Sequence, residues 1–125
     1  MLRESHRVVK EGGCLAGFVI HTPADLTATA ERRASELGPD AVVAAGRPED
    51  LTRKAGFSNV VRTDVTHQFT AIVETMLRAA SRWEAELRAE QGEDEYVAGC
   101  ERAKAMLTGI REGLLLRSLV TAIKG

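Results

Sequence analysis

LRESHRVVKEGGCLAGFVIHT, residues 2 to 22, decides how the rest of the chain is read. Leu2, His6 and Val9 recur at helical spacing with charges between them, so the stretch opens on a helix. Gly12-Gly13 is read as its stop, because glycine adopts the left-handed conformation that closes a helix C-terminus. Leu15 to Ile20 then runs apolar without alternation, bounded by the glycine pair and Pro23. A short unbroken apolar run of this kind predicts a strand covered on both faces, as in a parallel α/β sheet.

Downstream, Thr22 is placed to cap a helix over residues 23–37, with Pro23 at its first position and Asp25 at its positive end. Leu26, Ala30, Ala34 and Leu37 form its inner face, and Gly38-Pro39 ends it. Residues 40–46 carry too many alanines to be assigned a type. Residues 47–56 read as a short helix with Pro48 near its start and Gly56 at its end. Phe57 to Val65 reads as a strand, with Phe57, Val61 and Val65 on one face and Arg62 and Asp64 on the other. Charges in an alternating strand suit an exposed sheet edge. Two amphipathic helices follow. Phe69, Ile72, Val73, Met76, Leu77, Ala80, Trp83 and Leu87 lie on the stripe of the first, which Gln91-Gly92 breaks. Tyr96, Val97, Cys100, Ala103, Leu107 and Ile110 stripe the second, and the pair is expected to pack together. Leu114 to Ile123 is a last strand, apolar enough to be central.

Leu2, Glu4, Arg7, Val8, Lys10, Gly12 and Gly13 resemble the segment leading into the fifth strand of class I S-adenosylmethionine-dependent methyltransferases, of the type 11-like group. Val9 stands where leucine is usual, and Glu11 where proline is usual. Leu51-Thr-Arg-Lys-Ala-Gly-Phe57 resembles the same family's lead into its sixth strand. The resemblance implies an α/β fold: the C-terminal half of a Rossmann-like methyltransferase sheet, with three strands, the last antiparallel and seated between the other two. Residues 1–125 are then one partial domain, and residues 67–113 a two-helix insertion that can serve as a substrate lid. The family's cofactor residues follow its first, second and fourth strands, and none has a counterpart in this sequence. The resemblance thus implies S-adenosylmethionine as cofactor, with no cofactor-binding residue identifiable and binding by this chain alone in question.

Composition narrows the partners. A formal net charge of −1 and an aromatic content of 4% give neither the basic face nor the stacking platform that nucleic acid requires. No run is long and apolar enough for a bilayer, and the N-terminus lacks a signal-peptide layout, so a cytoplasmic protein is expected. Cys14 and Cys100 show no metal-ligand spacing and are expected as free, buried thiols.

In open α/β sheets, ligands bind at the carboxyl ends of parallel strands. Here those ends carry His21-Thr22 and Asp64 to His67, about 10 Å apart if one strand lies between them. His21 is the candidate general base, since imidazole titrates in the useful range. Its bland alternative is a hydrogen bond to a neighbouring loop. His67 reads mainly as a helix-start residue, and His6 as structural. Met76, Trp83 and Tyr96, with Met106, either line a lid over an apolar acceptor or form the insertion's own core. Two functions stay open: part of a methyltransferase acting on a small molecule, its other half supplied elsewhere, or a cofactor-free remnant acting as a dimeric or partner-binding module. An unpaired edge on the Leu15–Ile20 strand would favour a homodimer.

Overall fold

The computed structural model describes residues 1–39 and 46–125. The alanine-rich segment left without a type falls, up to residue 45, outside the described residues. The elements are α1 (Leu2–Val8), β1 (Cys14–His21), α2 (Ala28–Leu37), α3 (Pro48–Lys54), β2 (Ser58–Asp64), α4 (Thr66–Arg82), α5 (Glu84–Gln91), α6 (Glu93–Arg111) and β3 (Leu116–Ile123). The strand order is β1-β3-β2, and β3 runs antiparallel to both neighbours. β1 and β2 are therefore parallel to each other with the last strand between them, as the resemblance implies.

Several local expectations are corrected. α1 ends at Val8, with Val9 already extended. Gly12, at φ 76°, instead shapes the turn that aims the chain into β1, where the Gly12 amide donates to the Lys124 carbonyl and the Lys124 amide to the Gly13 carbonyl. α2 starts at Ala28 rather than Pro23, because Thr27 Oγ1 takes the amide of Ala30 at 3.1 Å and is the effective cap. Residues 22–27 form an irregular connection with a turn at residues 24–25 instead, with Asp25 in the left-handed region at φ 65°, a conformation aspartate tolerates. The helix expected to run unbroken to Gln91 divides at Trp83, whose backbone is not helical.

β2 carries a bulge. Ser58 pairs with Ile123 but Val61 with Thr121, so one extra residue sits in β2, and Asn59 there has φ 50°. A bulge reverses side-chain parity beyond it. Phe57 is accordingly buried, edge-on to His6 at 5.0 Å, whereas Val61 is exposed. The expectation that they share a face fails for that reason.

β1 is not covered on both faces in this chain. Cys14, Ala16, Gly17 and Phe18 are exposed, and among the described residues no strand pairs with its outer edge. Cys14 is consequently an exposed thiol rather than a buried one, while Cys100 is half-buried; both are free. β3 is the opposite case, burying Ser118, Val120 and Ala122. The core lies on the side of α2 and α6: Ala34, Leu114 and Leu115, joined by Ile20, Leu26, Ala30, Leu37, Met106 and Ile110. Leu114 and Leu115, expected within the last strand, precede it and fill this core. Gly109 of α6 must be glycine here, since a Cβ would stand 2.5 Å from Leu115 Cδ1.

Candidate functional site

Pairing register puts the carboxyl ends of β1 and β2 at one rim with the start of β3 between them: His21 faces Leu116, and Asp64 faces Ser118. Residues opposite one another in a ladder share a sheet face. His21, Ser118 and Arg62 therefore point to the same side, where Glu49 of α3 also lies. The four form one polar chain. Arg62 Nε lies 3.0 Å from Glu49 Oε2, Arg62 Nη1 donates to Ser118 Oγ at 3.2 Å, and Ser118 Oγ meets His21 Nε2 at 2.9 Å. His21 Nδ1 lies 3.2 Å from the Thr22 carbonyl.

The direction of the protons follows. A carbonyl only accepts, so His21 Nδ1 carries the hydrogen. Nε2 is then the acceptor, Ser118 donates its hydroxyl to it, and that oxygen receives the Arg62 N–H. His21 is 4% exposed and Ser118 is 0% exposed. Burial, first of all, pushes the His21 imidazole below its ordinary value, with the Arg62 charge adding to that. Neutral imidazole suits this chain, since a proton on Nε2 would make Ser118 Oγ accept from both sides and take from its hydroxyl hydrogen the acceptor it has in the chain.

Asp64 is close enough to contribute charge to His21, but one of its oxygens is engaged locally. Its Oδ1 accepts the Thr66 amide at 2.8 Å, and hydrogen bonds from Thr66 hold its pKa below the usual carboxylate range. Thr22 is half-buried and supplies its carbonyl, while His67 stands exposed in the first turn of α4. The rim thus gathers His21, Thr22 and Asp64.

Met76, Trp83 and Tyr96 are gathered elsewhere, in an open groove of about 490 Å³ between α4–α5 and α6. Met76 is 63% exposed and Trp83 is 51% exposed. Tyr96 is buried and donates its hydroxyl to the Ala80 carbonyl at 3.0 Å. Burial, then Cys100, pushes its phenol pKa up. The Arg88 guanidinium lies 4.6 Å over the Tyr96 ring. Met106 is not in this groove; it packs against the core.

Sequence reading missed Glu49, Arg62 and Ser118 as partners of His21. A serine within the apolar run Leu114 to Ile123 was the available signal, because a buried hydroxyl needs a partner.

No family model matches the chain, and no curated protein matches it. Solved structures do. A Galdieria sulphuraria protein described as a sarcosine dimethylglycine methyltransferase superposes with a TM-score of 0.80 over 99% of this chain and 46% of its own, at 12% identity. Haemonchus contortus phosphoethanolamine N-methyltransferase 2, in complex with phosphomonomethylethanolamine and S-adenosylhomocysteine, gives 0.77 over 98% of this chain and 29% of its own, at 16% identity. The [4+2]-cyclase SpnF gives 0.62 over 98% and 42%, at 19% identity. This chain spans less than half the length of each.

Among the described residues, none is arranged as a site for S-adenosylmethionine. The Gly12-Gly13 turn enters the amino end of β1, opposite the carboxyl rim at which open α/β sheets bind ligands, and is tied to Lys124. At the rim itself, His21 and Asp64 are engaged by Ser118, the Thr22 carbonyl and Thr66. What the comparisons establish is the fold: this chain is shaped as the C-terminal part of S-adenosylmethionine-dependent methyltransferases.

Proposed function

We propose that this chain is the C-terminal part of an S-adenosylmethionine-dependent methyltransferase of the type 11-like group, acting on a small molecule in the cytoplasm. The observation that carries the reading is the sheet order, with an antiparallel last strand seated between two parallel ones, in the shape of two named methyltransferases. Fold alone does not fix chemistry, and one structural neighbour is a cyclase. The two sequence motifs leading into β1 and β2, which resemble the family's pattern in this order and spacing, support the reading. No helix among the described residues is long and apolar enough to cross a membrane.

In this reading the cofactor is held by polypeptide outside these residues, and this chain supplies the acceptor side. The α4–α6 groove, with Met76, Trp83 and Tyr96, then covers the apolar part of an acceptor that reaches the carboxyl rim of the sheet. Catalysis in such a site is mostly positioning, which needs few reactive side chains. Polar side chains already satisfied at the rim are consistent with that.

The test is calorimetric titration with S-adenosylhomocysteine. The chain alone is expected to give no binding, and the chain extended by its upstream reading frame is expected to bind. A folded extended chain that fails to bind would overturn the proposal, as would a stop codon directly upstream.

A second reading rests on β1. Its outer edge is unpaired, and Phe18 is 59% exposed. Such an edge recruits another strand. As a cofactor-free module, the chain would form a symmetric homodimer through β1. A monomer by light scattering at tens of micromolar would count against that reading.

A further inference from the structure

Arg117 is the second residue of β3, at the end where β1 and β2 finish, and it lies on the sheet face opposite the His21 chain. Its guanidinium carbon stands 4.2 Å from the ring centroid of Phe18 on β1 and 4.2 Å from that of Phe69 on α4. The backbone beneath it is fixed. The Arg117 amide donates to Thr66 Oγ1 at 2.9 Å, and its carbonyl accepts the Val65 amide at 2.9 Å.

Yet the charge has no protein counterpart among the described residues. Carboxylates on neighbouring elements are engaged elsewhere: Asp64 with the Thr66 amide, Glu74 with Arg111, and Glu49 with Arg62. Packing on phenyl faces stabilises a guanidinium but satisfies none of its N–H groups, which point outward in its plane. A half-buried cation with unspent donors, preset by its backbone and by two rings, favours a ligand that accepts two parallel hydrogen bonds.

We infer that Arg117, packed on Phe18 and Phe69, binds the oxyanion of a small organic ligand, a carboxylate or a phosphate, at the carboxyl rim of the sheet. That this ligand is the methyl acceptor rests on the methyltransferase reading; the oxyanion site itself does not.

The test uses the whole chain without cofactor, labelled with ¹⁵N-arginine, and titrated separately with inorganic phosphate and with acetate. Saturable shifts are expected at Arg117 Nε and at the Phe18 and Phe69 rings, while exposed Arg32 follows only a linear salt drift. Saturation by phosphate alone identifies a phosphate site, and saturation by acetate alone a carboxylate site. Arg117→Lys keeps the charge but loses the planar fork, and is expected to weaken binding about tenfold. Phe69→Leu, which removes one ring and no charge, is expected to weaken it several-fold. Arg117 drifting linearly like Arg32 with both anions would overturn the inference, and so would unchanged affinity in Phe69→Leu. Because no cofactor is present, failure of the methyltransferase reading would leave this result intact.

Discussion

The junction around His21 and the groove around Trp83 treat their side chains oppositely. At the junction, an imidazole, a hydroxyl and a guanidinium are hydrogen-bonded to one another across β1, β3 and β2, and the Glu49 carboxylate of α3 meets the guanidinium as an ion pair. In the groove, Met76 and Trp83 are left largely uncovered. The difference separates two meanings of an interesting residue. A polar group whose hydrogen bonds are all internal holds strands in place; an apolar group left in water has contact area available for a ligand. Arg117 belongs to neither class: it is polar and half-buried, yet its N–H donors have no partner among the described residues, although it sits two positions after Leu115 and one before Ser118, both fully buried.

The contrast predicts a graded series of effects. Arg62→Met should be the most damaging of the four changes, because it leaves the buried Glu49 without its closest cation. Since about a third of the Arg62 side chain is exposed, about 2–3 kcal/mol is expected rather than the full cost of a buried pair. Urea denaturation measures it, and a loss under about 0.5 kcal/mol would mean that the junction is not a connected unit. Ser118→Ala removes the central hydroxyl and strands His21 Nε2, with an expected cost of about 1–3 kcal/mol by the same assay.

The third prediction concerns pH. His21 has its pKa lowered by folding, chiefly through burial. Below its ordinary value, the unfolded chain takes up a proton that the folded chain resists. Its contribution is therefore fully present above about pH 6.5 and is lost as pH falls toward the folded-state value. Denaturation at about pH 7.5 and about pH 5 should show lower stability at the acid end, and His21→Asn should narrow that gap. An unchanged gap would assign the pH dependence to other groups. The smallest effect belongs to the groove: Met76→Ala should change stability by less than about 0.5 kcal/mol. A larger loss would mean that Met76 is core, and the groove would cease to be a site.

The skeleton of this fold was legible because it depends on period and punctuation. The unbroken apolar run after Gly12-Gly13 gave β1, the charges of Arg62 and Asp64 gave an edge strand, and the apolar end of the chain gave the central one. What escaped depends on contacts distant in sequence. Thr22 and Thr27 are equally good caps by residue type, and only the docking of α2 on α6 chooses between them. The β2 bulge leaves no mark except Asn59, so the sidedness of Phe57 and Val61 was misjudged. Trp83 looked like one more residue on a stripe, yet it is where the helix breaks. Of the site, His21 and Asp64 were visible as the residues ending strands. Their partners were not, since Ser118 is 97 residues from His21.

The most direct test of the account is the seating of β3. Nuclear Overhauser contacts in the purified chain should link Ser118 to Val19 on one side and to Asp64 on the other, since it pairs with both. Finding both would confirm an antiparallel strand between two parallel ones, on which the likeness to methyltransferases rests. Backbone contacts running directly between β1 and β2, with β3 at an edge, would contradict it.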